Sequence, residues 1–312
     1  MRHSYLRSAD RAAGRGERAS RVACPPLVAV AHGSTDPGAG SAIADLISLT
    51  RARAAARGWP GLDARAAFLD HARPSAAQVL GALAGGARSH GAPDRPAPDD
   101  ATGSHPVVVL PLLLTAAYHS GTDIPAALRE AQAAYPWLTI SYGEPLGPHP
   151  ALWRALDRRL AEADEDARAD RTAVVLASAG SSQPTANAAV ARMAADWQQA
   201  RGWRAVVPAY ASAAAPGPGQ AVAALLRDGA TRVVVATYLL APGRFADRIR
   251  DASLAAGAAA VSSPLGALPE VADVLLQRYA EARAAAVVRS GPAPRPSGSP
   301  GPALATRVSA RS

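Results

Sequence analysis

The chain reads as an α/β protein of two tandem units, each a parallel four-stranded sheet flanked by helices. Three observations predict this. Short apolar runs bounded by turn residues alternate with helix-period segments, the pattern of parallel strands joined by right-handed crossovers. The pattern then recurs in the second half of the chain, with order and spacing kept apart from small gaps and the insertion at 85–106, which that half lacks. Finally, 312 residues with 49% hydrophobic but only 4% aromatic content suit two domains with Ala/Val/Leu cores.

In chain order, Leu27–Ala31 is the first strand, and a helix follows from about Ser41 to Arg57, closed by Gly58 and Pro60. Ala64–Leu69 is the second strand and delivers Asp70 at its end; Pro74 opens a helix through Leu83. Residues 85–106 are Gly/Pro/Asp-rich and read as an exposed insertion. Val107–Leu114 is a buried strand, followed by the polar corner Tyr118 to Asp123 and a helix to about Ala134. There Asp123 is the expected N-cap, with Pro125 in the first turn. Leu138–Tyr142 and a helix from Ala151 to about Ala163 complete a domain spanning 25–165, and an acidic linker leads on. A second domain spans 170–286, with tails at 1–24 and 287–312.

The repeat is visible segment by segment. Ala173–Ser178 and Ala179-Gly180-Ser181-Ser182 stand beside the first strand and Ala31-His32-Gly33-Ser34. Gly202-Trp203 matches Gly58-Trp59, Val233–Leu240 matches Val107–Leu114, and the segment 264–269 matches 145–150.

All 33 basic residues are arginine, and the net charge is +8. The excess sits entirely in the two tails, which are rich in Gly, Pro, Ser and Arg and are expected to be disordered. A neutral body without a basic, aromatic-studded stripe argues against a nucleic-acid partner. Its longest apolar runs are too short to span a membrane, the N-terminus lacks a secretory apolar core, and Cys24 is the sole cysteine. A reduced, cytoplasmic setting is expected.

Two histidines mark the candidate site. His32 and His119 each follow a buried strand directly, where open α/β sheets bind ligands. The repeat puts Ala179 and Phe245 at those positions, so both imidazoles are confined to one copy, as expected of a pair that works together. Neutral imidazole ligates divalent first-row metals and is a base near neutral pH. With Asp70 from a neighbouring strand end, the pair can form an open site of two histidines and one carboxylate, suited to handing an ion on. His71 is positioned to line the same pocket or the surface beside it, and His149 has a structural place at a helix start. His90 and His105 lack ligand spacing. Substitution at Ala179 or Phe245 is expected to matter far less than at the histidines.

The segments LVAVAHGSTDP, AFLDHARPS and VVVLPLLLTAAYHSGTDIP resemble the signature segments of sirohydrochlorin chelatases of the CbiX/SirB type. Residues 25–165 are similar to a metal-bearing unit, and 170–285 to the degenerate second unit of the long, two-domain form. The resemblance implies a chelatase-like fold with a cleft between the units. It also implies ATP-independent insertion of Fe²⁺ or Co²⁺ into sirohydrochlorin, without a nucleotide. It makes His32 and His119 metal-site residues, with Asp70 standing where many members have Glu. The macrocycle is an octacarboxylate, so Gly33, Ser34, Thr35, Tyr118, Ser120, Gly121, Thr122 and Asp123 are candidate substrate contacts. Arg244 and Arg248 at the second unit's corner are further candidates. Because short members dimerise to build the cleft, the fused chain is expected to be a monomer. Two alternatives stand beside this reading. One is a non-enzymatic metal or tetrapyrrole carrier. The other is a histidine-phosphatase-like enzyme, although Ala31 stands where that chemistry needs a phosphate-binding Arg.

Overall fold

The computed structural model describes residues 24–89, 104–115 and 123–290. The expectations for tail residues 1–23 and 291–312, for 90–103 and for Tyr118, His119, Ser120, Gly121 and Thr122 lie outside the described residues, whereas 287–290, expected in the C-terminal tail, form the last turn of a helix ending at Ser290. Elements follow the order β1 (Leu27–Ala31), α1 (Pro37–Ala56), β2 (Ala64–Phe68), α2 (Ala76–Ser89), β3 (His105–Pro111), α3 (Ile124–Ala134), β4 (Leu138–Tyr142) and α4 (Leu152–Ala163). The second half gives β5 (Ala173–Ser178), α5 (Pro184–Arg201), β6 (Ala205–Tyr210), α6 (Pro218–Arg227), β7 (Val233–Tyr238), α7 (Arg244–Ala255), β8 (Ala260–Val261) and α8 (Pro269–Ser290). The two sheets have orders β2-β1-β3-β4 and β6-β5-β7-β8, and every pairing is parallel.

Each central strand is buried on both faces, which explains its unbroken apolar sequence. Val28, Val30, Val107 and Val109 face outward to α2 and α3, whereas Leu27, Ala29, Val108 and Leu110 face inward. That inner core is shared by both halves. It runs through α1, α8, α4 and α5 to Val174, Leu176, Val234 and Ala236 of the second sheet.

The last helices of the halves are exchanged. α4 packs on β7 and β8, while α8 packs on β3, β4 and α1, and the two helices meet. Polar contacts lock the exchange in place. The Tyr279 hydroxyl of α8 donates to the Pro25 carbonyl at 2.7 Å, and Arg53 of α1 pairs with Asp273 of α8 at 2.6 Å. On α4, Asp157 accepts from Trp197 Nε1 at 3.0 Å and from Arg201 at 2.7 Å.

Several boundaries differ from the sequence expectation, among them the end of β3 at Pro111, where the apolar run predicts a strand to Leu114. α1 begins at Pro37, not Ser41, because Asp36 is extended and its Oδ1 accepts the Gly38 N–H at 2.8 Å, a complete N-cap. α2 continues through Ser89 and β3 starts at His105, so both ends of the expected insertion belong to regular structure; His105 pairs with Leu138. Asp123 precedes α3, but with φ −74° and ψ −45° it is itself helical and its side chain makes no capping bond.

The linker is tied down by charge. Asp164, its side chain 5% exposed, accepts from Arg232 at 2.6 and 2.8 Å, and this bonding holds its carboxyl below the usual carboxylate range. A depressed folded value means that the pair's stabilisation is present above the unfolded value near pH 4 and is lost as pH falls through the folded one. Asp164→Asn is therefore expected to lower the thermal midpoint by a few degrees at pH 7. The gap from wild type should narrow below about pH 4. Equal gaps at both pH values, measured by thermal melts, would contradict this.

Candidate functional site

The site is built where β1 and β2 end side by side. The register pairs Ala31 with Phe68, and the next residues remain joined: Leu69 N–H donates to the Ala31 carbonyl at 3.0 Å, and Asp70 N–H to the His32 carbonyl at 2.9 Å. Gly33 then turns with φ +96°, and a Cβ there would sit 1.7 Å from the Asp70 carbonyl oxygen. Glycine is thus what lets the two strand-end loops touch. His32 and Asp70 come out on adjacent, solvent-exposed loops.

Around them the loops are braced locally. Ser34 Oγ accepts the Asp36 N–H at 3.0 Å, leaving its own hydroxyl hydrogen to donate, and Thr35 is exposed. Capping of α1 thus falls to Asp36, which the sequence reading passed over although Asp-Pro before an apolar run signals a helix start. Asp70 Oδ1 accepts the His71 N–H at 2.8 Å, and its Oδ2 lies 3.4 Å from His71 Nε2. Asp70, His71 and Arg73 line one shallow cavity. His71 is left-handed, with φ +57°.

The second half reproduces this corner bond for bond. Ser212 N–H donates to Ala179 at 2.9 Å as Asp70 does to His32, and Tyr210 N–H to Pro216 as Phe68 does to Pro74, both at 3.0 Å. A Cβ on Gly180 would lie 2.0 Å from the Ser212 carbonyl oxygen, and Ala213 has φ +59°. The backbone is alike in the two halves while the side chains differ. His32, Asp70 and His71 correspond to Ala179, Ser212 and Ala213. Since Ala213 adopts the same left-handed conformation as His71, that conformation belongs to the turn and not to the imidazole.

The loops of the two halves abut here. A Cβ on Gly38 would lie 3.2 Å from Pro242 Cγ, and one on Gly243 3.7 Å from Ser34 Oγ. The wholly buried Tyr238 donates its hydroxyl to the Leu114 carbonyl at 3.0 Å, anchoring the chain that leaves β3. Burial pushes that phenol's pKa far up, so it remains a donor. Gly147 keeps the junction tight, since a Cβ there would meet Leu114 O and Tyr238 Oη, each at 2.6 Å.

The other candidates separate cleanly. His149 is structural: its Nδ1 accepts the Ala151 N–H at 3.1 Å at the start of α4, and burial, followed by the Arg278 charge, lowers its pKa. Arg248 is committed to its own half, with Nη1 donating to the Ala211 carbonyl at 3.0 Å. Arg244 makes no hydrogen bond or ion pair with the described residues. Among the described residues no three His, Cys, Asp or Glu side chains cluster as a metal site, and no helix is long and apolar enough to cross a membrane.

Two fused, doubly wound α/β units, with His32, Asp70 and His71 at the strand ends of one and Ala179, Ser212 and Ala213 at the matching positions of the other, define a duplicated scaffold with unlike corners. The family profile described as CbiX matches residues 99–163 and 173–282, more than half of the chain, and the chain belongs to that family. It is 33% identical over 153 residues to a sirohydrochlorin cobaltochelatase of Priestia megaterium, a match covering 48% of this chain and 50% of that protein. A sirohydrochlorin ferrochelatase of Bacillus subtilis is 29% identical over 189 residues, covering 58% of this chain and 70% of the relative. The chain's match thus spans only about half the length of the first of these relatives. Among solved structures, SirB from Bacillus subtilis with Fe3+ superposes with a TM-score of 0.69 at 23% identity, covering 85% of this chain and 98% of that one. This likeness speaks for the fold.

Proposed function

We propose that the protein is an ATP-independent sirohydrochlorin chelatase, a lyase that inserts Fe²⁺ or Co²⁺ into the macrocycle in a cleft between its two halves. His32 and His119 hold the ion and accept protons, with Asp70 as the neighbouring carboxylate. The observation that carries this reading is the pair of matched corners. Identical backbone turns bear His32, Asp70 and His71 in one half and Ala179, Ser212 and Ala213 in the other. Membership in the CbiX family and the alignments with two sirohydrochlorin chelatases support the same reaction.

Metallation requires the ion to shed water, pass to four pyrrolic nitrogens and displace two N–H protons. Imidazoles serve both needs, since they bind first-row metals and take up protons near neutral pH. An open set of few ligands releases what it binds, whereas a closed tetrahedral site would retain the metal. Gly33, Ser34 and Thr35, with Tyr118 and the segment 120–123, receive the acidic arms of the macrocycle. Fusion of the halves makes a monomer sufficient, and the reducing cytoplasm keeps Fe²⁺ available.

The test is anaerobic absorbance spectroscopy of sirohydrochlorin with the purified protein and each metal in turn. Catalytic formation of the metallated chromophore is expected with Fe²⁺, Co²⁺ or both. Stoichiometric binding without turnover would make the protein a carrier, and phosphate release from a generic ester would favour the phosphatase alternative.

A further inference from the structure

Arg244 and Phe245 open α7 at the second half's corner, directly after the Pro242-Gly243 turn that abuts Ser34, Asp36 and Gly38. Phe245 is 44% exposed, one of two large apolar side chains so exposed among the described residues. Its direction follows from helix geometry. Residues four apart share a face, and Ile249, four positions on, is fully buried against the second sheet. Phe245 therefore lies on the sheet-facing side of α7 but one turn too early to be covered. Helical side chains lean toward the helix N-terminus, so its ring hangs past the strand ends. Arg244 bears the same relation to Arg248, whose guanidinium reaches the Ala211 carbonyl at the end of β6. The acid in that first turn, Asp247, is paired with Arg250 at 3.3 Å, and Arg244 has no partner among the described residues.

We infer that Phe245 and Arg244 are the second half's contribution to macrocycle recognition, the ring lying against the tetrapyrrole face and the guanidinium taking one of its carboxylates. The inference rests on the chelatase reading and names which residues of the ligand-free half bind substrate. A flat conjugated macrocycle with acidic arms calls for an apolar, planar surface next to an unpaired guanidinium, in reach of the metal-bearing loops. The pair meets that need. It also accounts for what replaced the second histidine in the degenerate copy, because the position matching His119 keeps a large planar side chain without ligating power. These are specificity residues that touch substrate, not groups that handle the ion.

The experiment is a fluorescence titration of metal-free sirohydrochlorin into wild type and into Phe245→Ala, Phe245→Trp, Arg244→Ala and Arg244→Lys. Co²⁺ calorimetry and steady-state kinetics run alongside. Neither side chain belongs to a core, so all variants should fold. The alanine variants are expected to weaken macrocycle binding about tenfold and raise KM in step, with Co²⁺ affinity and kcat unchanged. Phe245→Trp should restore affinity, and Arg244→Lys should restore it only in part. Affinities within about twofold of wild type in both alanine variants would overturn the inference. Turnover that needs His32 but ignores both residues would do so while leaving the chelatase intact. Macrocycle binding that depends on Phe245 and Arg244 in a protein without turnover would remove the chelatase and leave this recognition surface standing.

Discussion

His32→Ala should lower metallation by at least about 10²-fold, with Co²⁺ affinity lost in parallel and the unfolding midpoint unchanged. The expectation follows from where the residue sits. His32 is exposed on the loop beyond β1, so truncating it opens no core cavity, and surface substitutions of this kind fall within about 0.5 kcal/mol. In the proposed mechanism the substitution removes both a ligand and a proton acceptor. His119→Ala should behave alike, and the double variant should be barely worse than either single one, because two groups acting on one ion are strongly non-additive. Ala179→Gly, at the matching corner, should leave turnover near wild type. The check is single-turnover metallation by absorbance together with urea melts. Wild-type-like turnover by either histidine variant would end the mechanism, since no other described group duplicates that donor.

The fold was legible wherever burial alone decides conformation. β5 begins and ends where an apolar run before a turn says it should, since every residue of that strand is buried, and β4 keeps its expected bounds although Thr139 within it is exposed. The start of α1 was less legible, because Asp36 and Pro37 serve a turn signal and a helix cap equally well until the carboxylate is seen on the Gly38 amide. The exchange of α4 and α8 could not be read at all. The amphipathic stripe of Leu152, Leu156 and Leu160 shows that a face is buried but not which sheet buries it. At the site, strand-end grammar brought out His32 and Asp70, and the structure joins them through one backbone hydrogen bond. The match of Asp70-His71 with Ser212-Ala213 escaped sequence comparison because, over 67–74 and 209–216, only Ala67 with Ala209, Ala72 with Ala214, and Pro74 with Pro216 are shared. What the two corners have in common is backbone conformation, which leaves little trace in residue identity.

That shared conformation supports a second large effect, at Gly33. A methyl group there would overlap the Asp70 carbonyl, and φ +96° disfavours any L side chain. Gly33→Ala should cost about 2–4 kcal/mol, as conformational strain adds to the displacement needed to relieve the overlap. Gly180 faces the same obstacle, with φ +82° and the Ser212 carbonyl oxygen 2.0 Å from its would-be Cβ, so Gly180→Ala should destabilise to a similar degree. The two substitutions impose one physical insult on two copies of one turn, and they should part company only in function. Relieving the clash at Gly33 moves the carbonyls that join the His32 and Asp70 loops, so the surviving folded protein should also lose Co²⁺ affinity by about tenfold or more. Relieving it at Gly180 moves only Ala179 and Ser212, and the folded fraction should bind Co²⁺ and turn over as wild type does. Urea melts paired with Co²⁺ calorimetry below both midpoints separate the outcomes. Equal loss of Co²⁺ affinity in both variants would mean that the second corner still takes part in holding the ion, against the division of labour proposed between the halves.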